Sequence, residues 1–227
     1  MKNTKAITLL SASLITGIAA ITYFYSTKSI AQPAINQNGT GAVPYSDGTE
    51  DWPKASKMAV QEITGKYGKP EGITPEELIW WNKGIWKKIC INKVEVKHSF
   101  PIEHTDMMQT SIMYKVPEDK MDDLGKFDGS VTFDRTQGTM SARCDMEANN
   151  FLALNLANDI VVGKKTVEEA RTAFGDIVKE KMNGGNPVYM QKLTFSTQPD
   201  AADPDKNTTG LTKEDVMNGK KTKMSTQ

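Results

Sequence analysis

The chain has 227 residues, of which 38% are hydrophobic and 25% charged, a composition typical of one globular domain of ordinary size with appendages. Basic and acidic residues balance at 28 each, but residues 1–31 hold three lysines and no acidic residue. The remainder is therefore slightly acidic, which argues against a nucleic-acid-binding protein, because binding phosphates requires a cationic face.

The N-terminus has the pattern of an export signal or a membrane anchor. Lys2 and Lys5 precede a run without charges over residues 6–27, and a charge within a bilayer costs ~3 kcal/mol. Ser29-Ile30-Ala31 has small residues at the two positions that signal peptidase reads, so cleavage would leave Gln32 as the new N-terminus. The run is also long enough to span a membrane, so retention as an anchor stays open. Both alternatives predict a periplasmic or extracellular protein that contacts the membrane only through this segment.

Composition divides the rest of the chain into a linker, a domain and a tail. Residues 32–50 are rich in Gly, Asn and Pro, which predicts a flexible linker. Residues 198–227 are polar and are predicted to be disordered. Within this tail, the stretch 203–207 has the oxygen spacing of a calcium loop but lacks its glycine, which favours a solvated acidic segment. We therefore expect the globular domain over residues 51–197.

The domain shows helix and strand signals in alternation. Predicted elements are helices over 53–67 and 74–81, strands over 85–96 and 109–116, a minor helix near 118–126, a hairpin over 131–144, helices over 147–162 and 167–183, and a last strand over 188–195. Thr166 and Glu169 form a capping box, and residues 151–161 are apolar nearly all round, as in a core helix. The order predicts an α+β fold, in which an antiparallel sheet of about five strands carries helices on one face.

The sequence contains none of the common catalytic patterns. The sequence lacks a Gly-rich dinucleotide turn, a phosphate-binding loop, a His-Glu-x-x-His pair and a nucleophile elbow. We therefore predict no catalytic residues and no cofactor. This favours a non-enzymatic domain, although it leaves the question of enzymatic activity open.

Both histidines of the chain lie in the turn between the first two long strands. His98 and His104 face each other if the strands form a hairpin, with Glu103 or Asp106 nearby. Two imidazoles and a carboxylate are a known ligand set for zinc or non-haem iron. We consider His98, His104 and Asp106 a candidate metal site. The alternative is that both histidines are simply exposed in a polar turn.

Cys90 and Cys144 are the two cysteines, and an oxidising compartment would allow them to join. Closing a loop of this length would stabilise the fold by about 4 kcal/mol. Strand alternation directs Cys144 into the core, with Met140 and Ala142, and Cys90 toward the opposite face. The sequence leaves both a disulfide and two free thiols open.

Three stretches carry a resemblance to known proteins. Trp52-Pro53-Lys54-Ala55, Lys66-Tyr67-Gly68-Lys69-Pro70 and the run from Ser141 to Ala157 resemble an uncharacterised family of bacterial envelope proteins that carry signal peptides. The resemblance covers most of residues 51–180. It implies an exported location and no assigned activity.

These observations favour a binding or adaptor domain of the bacterial envelope, with an unknown envelope protein or small ligand as its partner. Two alternatives remain. One is a metal-dependent enzyme at the two histidines, and the other is a small-molecule carrier with a pocket beneath the 147–162 helix.

Overall fold

The computed structural model describes residues 48–224, with side chains to residue 218. Its elements are α1 (Lys54–Tyr67), β1 (Gly72–Ile73), β2 (Glu77–Lys83), β3 (Trp86–His98), β4 (His104–Met113), α2 (Met121–Phe127), β5 (Val131–Asp134), β6 (Thr139–Cys144), α3 (Glu147–Val161), α4 (Val167–Met182) and α5 (Lys213–Met224). Two 3₁₀ turns lie at Glu118–Lys120 and Val188–Met190.

The strands form one antiparallel sheet in the order β1-β2-β3-β4-β6-β5. Leu78 pairs with Ile91, Ile91 with Met108, and Met108 with Cys144. Paired residues point to the same face of a sheet, so these four side chains form a row across it. The predicted α+β class is confirmed, with six strands where about five were expected.

Helix α3 lies at the centre of the core, as its apolar sequence predicts. Leu152, Leu154 and Leu156 are fully buried, and the helix packs on β6, β4 and α4. Two asparagine side chains of this helix form hydrogen bonds to backbone carbonyls. Asn150 Nδ2 donates to the Met108 carbonyl at 3.0 Å, and Asn155 Nδ2 donates to the Lys192 carbonyl at 2.8 Å. Buried polar groups on this helix therefore bind the sheet and the C-terminal segment.

Two predicted elements are wrong. The predicted 74–81 helix is a turn followed by β2, in which Thr74 Oγ1 accepts the Glu77 amide at 2.8 Å. The capping residue thus closes a turn, and burial of Leu78 and Trp80 at alternate positions selects a strand. The predicted 188–195 strand is a 3₁₀ turn followed by irregular chain, whose carbonyls bond to Asn155 rather than to a neighbouring strand.

The predicted disorder of residues 198–227 is also wrong in two parts of this segment: residues 198–205 are hydrogen-bonded to the domain, and Lys213–Met224 form α5. The Gln198 amide donates to the Met113 carbonyl at 2.9 Å, and the Asp203 amide donates to the Arg135 carbonyl at 3.0 Å. Ala201 is 2% exposed and lies on Gly138, whose φ is +68° and where a Cβ would sit 2.3 Å from the Ala201 carbonyl carbon and the Ala202 nitrogen. We call residues 198–205 the strap.

Charges reinforce the strap. Arg135 binds Asp205 and lies 3.4 Å from Asp203, while Lys115 Nζ lies 3.5 Å from Asp203. The carboxylates that gave the tail its calcium-like spacing are therefore paired with cations. Farther on, the described side chains of α5 are all exposed.

The expected export segment and most of the expected linker lie outside the described residues. Within residues 48–224, no helix combines the length and the hydrophobicity that a membrane span needs.

Candidate functional site

The end of the β3–β4 hairpin brings the two histidines together, as the sequence predicts. His98 pairs directly with His104, and their ring centroids are 5.0 Å apart. Asp106 follows His104 by two residues on the same strand and therefore points to the same face. Glu103, the other candidate carboxylate, lies at the surface 3.2 Å from Lys97 Nζ.

An irregularity in β3 sets which way His98 points. Ile91 pairs with Met108 and Val96 pairs with Asp106, so residues 92–95 of β3 stand opposite the single residue Met107. The bulge also holds α1, because Glu95 Oε1 accepts the Ser56 amide at 3.2 Å in the first turn of that helix. Bulges of this kind re-aim side chains near a site.

Asp106 lies between the two histidines. Its Oδ2 is 3.2 Å from His98 Nδ1 and its Oδ1 is 3.0 Å from His104 Nε2. The side chain is 2% exposed, and one ligand atom from each residue can be chosen so that all lie within 4.8 Å of one another. The contacts are short but poorly angled, so among the described residues His98 Nδ1 and Asp106 Oδ1 have no aligned hydrogen-bond partner.

Each histidine is oriented by an acceptor on its far side. His104 Nδ1 lies 2.9 Å from the Ile102 carbonyl, and His98 Nε2 lies 3.5 Å from Asp128 Oδ1. Asp128 is fixed in turn by the amide and hydroxyl of Ser130, both at 2.8 Å. Metal-binding histidines usually donate the second ring N–H to such an acceptor, which leaves the first nitrogen free for the ion.

The electrostatics of the site are dominated by the carboxylates. The short polar contact with Asp106 is the main factor that raises the pKa of His104, to about 9, although desolvation works against it. The Arg143 Nε atom lies 3.9 Å from Asp106 Oδ2. A cleft of about 100 Å³ between Val94, Val96 and these two side chains gives access from the surface.

Cys144 also lies at this site, which the sequence did not indicate. Its Sγ is 3.3 Å from His104 Nε2 and 3.4 Å from Asp145 Oδ1. Burial is the main cause that raises the pKa of this thiol well above its ordinary value, and the charges of Asp145 and Asp106 act in the same direction. A cysteine nucleophile needs the thiolate, so this environment does not favour Cys–His hydrolytic chemistry.

The two cysteines are free in the structure. Cys144 pairs with Met108, whereas Cys90 pairs with Gln109, the next residue of β4. Neighbouring residues of a strand point to opposite faces, so the thiols lie on opposite sides of the sheet with β4 between them. A disulfide would require both on one side. Burial is the main cause that raises the pKa of Cys90, to about 11.

Another buried carboxylate, Glu147, lies at the start of α3 and was missed by sequence reasoning. It is 4% exposed and accepts hydrogen bonds from Tyr67 Oη at 2.5 Å, from Trp86 Nε1 at 2.6 Å and from Lys66 Nζ. These donors are up to 81 residues away along the chain. Since three donors satisfy this carboxylate, its role is structural.

Beside this cluster lies a cavity of about 540 Å³, to which α3, the helix under which the sequence suggested a pocket, contributes Phe151. Tyr67, Phe151 and Phe195 form aromatic walls, and Ile85 and Leu193 add apolar surface. Among the described residues that line it, Lys192 is the only charged one.

Comparison with models of known protein families, with curated proteins and with solved structures found no match for this chain. The family resemblance seen in the sequence therefore stays a prediction.

Proposed function

We propose that this protein is an exported domain that binds one divalent transition-metal ion of the zinc class through His98, His104 and Asp106. The observation that carries the proposal is the orientation of the two imidazoles. Each has one nitrogen directed to an outer acceptor and the other directed to the same buried carboxylate.

The distances suit a metal ion. Zinc–ligand bonds of about 2.0–2.2 Å place the ligand atoms of a tetrahedral site roughly 3.3 Å apart. The two histidine–aspartate distances of 3.0 and 3.2 Å involve different oxygens of Asp106, and the three ligand atoms lie within 4.8 Å of one another, so the side chains would rotate and draw closer around an ion. An ion would also provide the partner that His98 Nδ1 and Asp106 Oδ1 lack.

We infer that the site binds rather than hydrolyses. Burial raises the pKa of the nearby thiol of Cys144, which disfavours a cysteine nucleophile, and the cleft of about 100 Å³ has room for little more than solvent. This supports the role of a binding or adaptor domain in the envelope, whose partner interactions depend on the loaded hairpin.

Metal analysis of the purified full-length chain tests the proposal. We expect one equivalent of zinc after loading and desalting, and its loss in the double variant His98→Ala/His104→Ala. Glu103→Gln is a matched control in the same hairpin, because Glu103 is exposed and faces away from the site. Wild-type protein that retains no zinc, cobalt or iron would overturn the proposal.

A second candidate function, carriage of a small molecule, is favoured by the cavity beside α3. Its volume of about 540 Å³ is within the range of small-molecule sites, and its aromatic walls with one lysine suit an apolar compound that carries a negative charge.

Binding of anilinonaphthalene sulfonate, an aromatic anion, tests this candidate by fluorescence. Ile85→Asp places a charge in the cavity at a side chain that is 42% exposed, and should abolish the signal. Ile73→Asp changes a side chain of similar exposure, 47%, on β1 and should not. Equal signals from both variants would contradict a carrier role for this cavity.

A further inference from the structure

Three strands deliver polar side chains to one region of the helix-covered face of the sheet: the ligand atoms of His98, His104 and Asp106 lie within 4.8 Å of one another, and Cys144 joins this group through its contact with His104. His98 comes from β3, and His104 and Asp106 come from β4. Cys144 is the last residue of β6 and pairs with Met108, which is two residues beyond Asp106 on β4. The register therefore puts the thiol on the same face as the carboxylate.

The thiol approaches the nitrogen that the metal would use. Cys144 Sγ is 3.3 Å from His104 Nε2, and that nitrogen is 3.0 Å from Asp106 Oδ1. The other nitrogen of His104 is directed to the Ile102 carbonyl. Sulfur, nitrogen and oxygen donors thus converge from two strands.

The surroundings of Cys144 differ from those of a cysteine that only fills space. A buried free cysteine usually packs as a small hydrophobic residue. Cys144 is 7% exposed, yet it contacts an imidazole and the Asp145 carboxylate. Independently, Asp106 is 2% exposed and its Oδ1, on the side of His104, has no aligned hydrogen-bond partner among the described residues.

We propose that Cys144 is the fourth ligand of the metal site, which makes it a closed site of two imidazoles, one carboxylate and one thiolate. This rests on the proposed function. On binding, the S–H bond breaks, the proton passes to solvent, and the sulfur electron pair forms the bond to the metal. No oxidant or reductant takes part.

The four donor atoms determine the class of ion and the kind of site. Thiolate and imidazole donors together favour zinc and cobalt(II) over magnesium and calcium, which take oxygen ligands. The two anionic donors match the charge of a divalent ion, as burial requires. With four protein ligands, no coordination position stays open for water, which is the pattern of structural rather than catalytic zinc.

Titration of the full-length chain with cobalt(II) tests this. A thiolate ligand gives a sulfur-to-cobalt charge-transfer band in the near ultraviolet, which nitrogen and oxygen ligands do not. We expect wild-type protein to show this band together with the visible bands of tetrahedral cobalt. In Cys144→Ser we expect the band to vanish and the affinity to fall by more than about 100-fold, the upper range for losing an outer partner. Cys90→Ser should match the wild type.

The outcomes separate the two proposals. Cobalt bound by the wild type without a charge-transfer band, or a band that persists in Cys144→Ser, would overturn the role of Cys144 and leave the three-ligand site standing. A chain that binds neither cobalt nor zinc would overturn both. The wild-type spectrum decides the question even if the variant folds poorly. Alkylation of the unreduced, denatured protein should find two thiols, and a disulfide would also overturn the proposal.

Discussion

Glu147 and Asp106 are both nearly inaccessible to solvent, but their environments differ. Glu147 receives three hydrogen bonds, two of them from aromatic residues fixed in the core. Asp106 has two histidines within contact distance, yet one of its oxygens lacks an aligned donor among the described residues. A satisfied carboxylate stabilises a fold, whereas an incompletely satisfied one marks a place where a ligand can bind.

Replacement of Glu147 should therefore be costly. Glu147→Ala leaves the buried Trp86 N–H and the Tyr67 hydroxyl without their acceptor, and we expect a loss of about 2–4 kcal/mol in the free energy of unfolding. Lys66→Met is the comparison variant, because the Lys66 side chain is 48% exposed and Glu147 keeps its two neutral donors, so we expect a smaller loss of about 1–2 kcal/mol. Urea unfolding measures both. Similar values for the two variants would contradict a central role for the carboxylate.

The sequence allowed prediction of some residues of the site but not of others. His98, His104 and Asp106 lie within nine positions in one hairpin, so pairing of His98 with His104 across the hairpin and alternation along β4 place them together. Cys144 is 40 residues from His104, and its position depends on β6 pairing with β4 rather than with β3. Pairing between strands that are distant in the chain is set by packing of the whole core, which local patterns do not report.

Among the elements, the strap shows how few apolar residues are needed to order a segment. Residues 198–205 contribute one buried side chain, Ala201, and gain their order from backbone hydrogen bonds and from Arg135. Such contacts leave no apolar periodicity in the sequence, which is why composition predicted disorder. The capping box of α4, by contrast, depends on residues three apart, Thr166 and Glu169, and is confirmed.

Two truncations separate the strap from the remainder of the tail. Ending the chain after Lys206 removes only exposed side chains among the described residues, and should change the melting temperature by about 1–2 °C. Ending it after Thr197 also exposes the surface under Ala201 and frees Arg135, so we expect a loss of about 2 kcal/mol and a decrease of roughly 4–8 °C. Differential scanning calorimetry makes the comparison. Equal melting temperatures would show that the strap contributes nothing to stability.

At the scale of the molecule, the domain has one sheet, and both of its edge strands are short. The edge strand β1 has two residues and β5 has four, so little backbone is offered for pairing with another chain. The overall class was predictable from the order of helix and strand signals, because those signals are local. The strand order was not, since it depends on contacts far apart in the chain.

The proposed exported location can be tested with the N-terminal segment alone. Fusion of residues 1–40 to an enzyme that is active only outside the cytosol should give an active reporter, because Lys2 and Lys5 precede a run of 22 uncharged residues. Lys substituted at Leu14 and Ile15 should abolish the activity by placing charges within that run. An inactive wild-type fusion would contradict export. N-terminal sequencing of the mature protein would distinguish cleavage before Gln32 from a retained Met1.

The bulge in β3 has a consequence for how this hairpin tolerates insertions and deletions. Four residues, 92–95, stand where a regular ladder has one, so three residues are extra, and an odd excess reverses the alternation. Ile91 and His98 are seven positions apart and would face opposite sides of a regular strand, yet here they share one. Loss of one residue from 92–95 would leave His98 six positions from Ile91, where regular alternation already puts both on one side, and loss of two would leave an odd excess of one that again reverses the alternation. The pairing of His98 with His104, rather than the exact length of the bulge, thus decides whether the two imidazoles meet, so residues 92–95 can change in number without separating them.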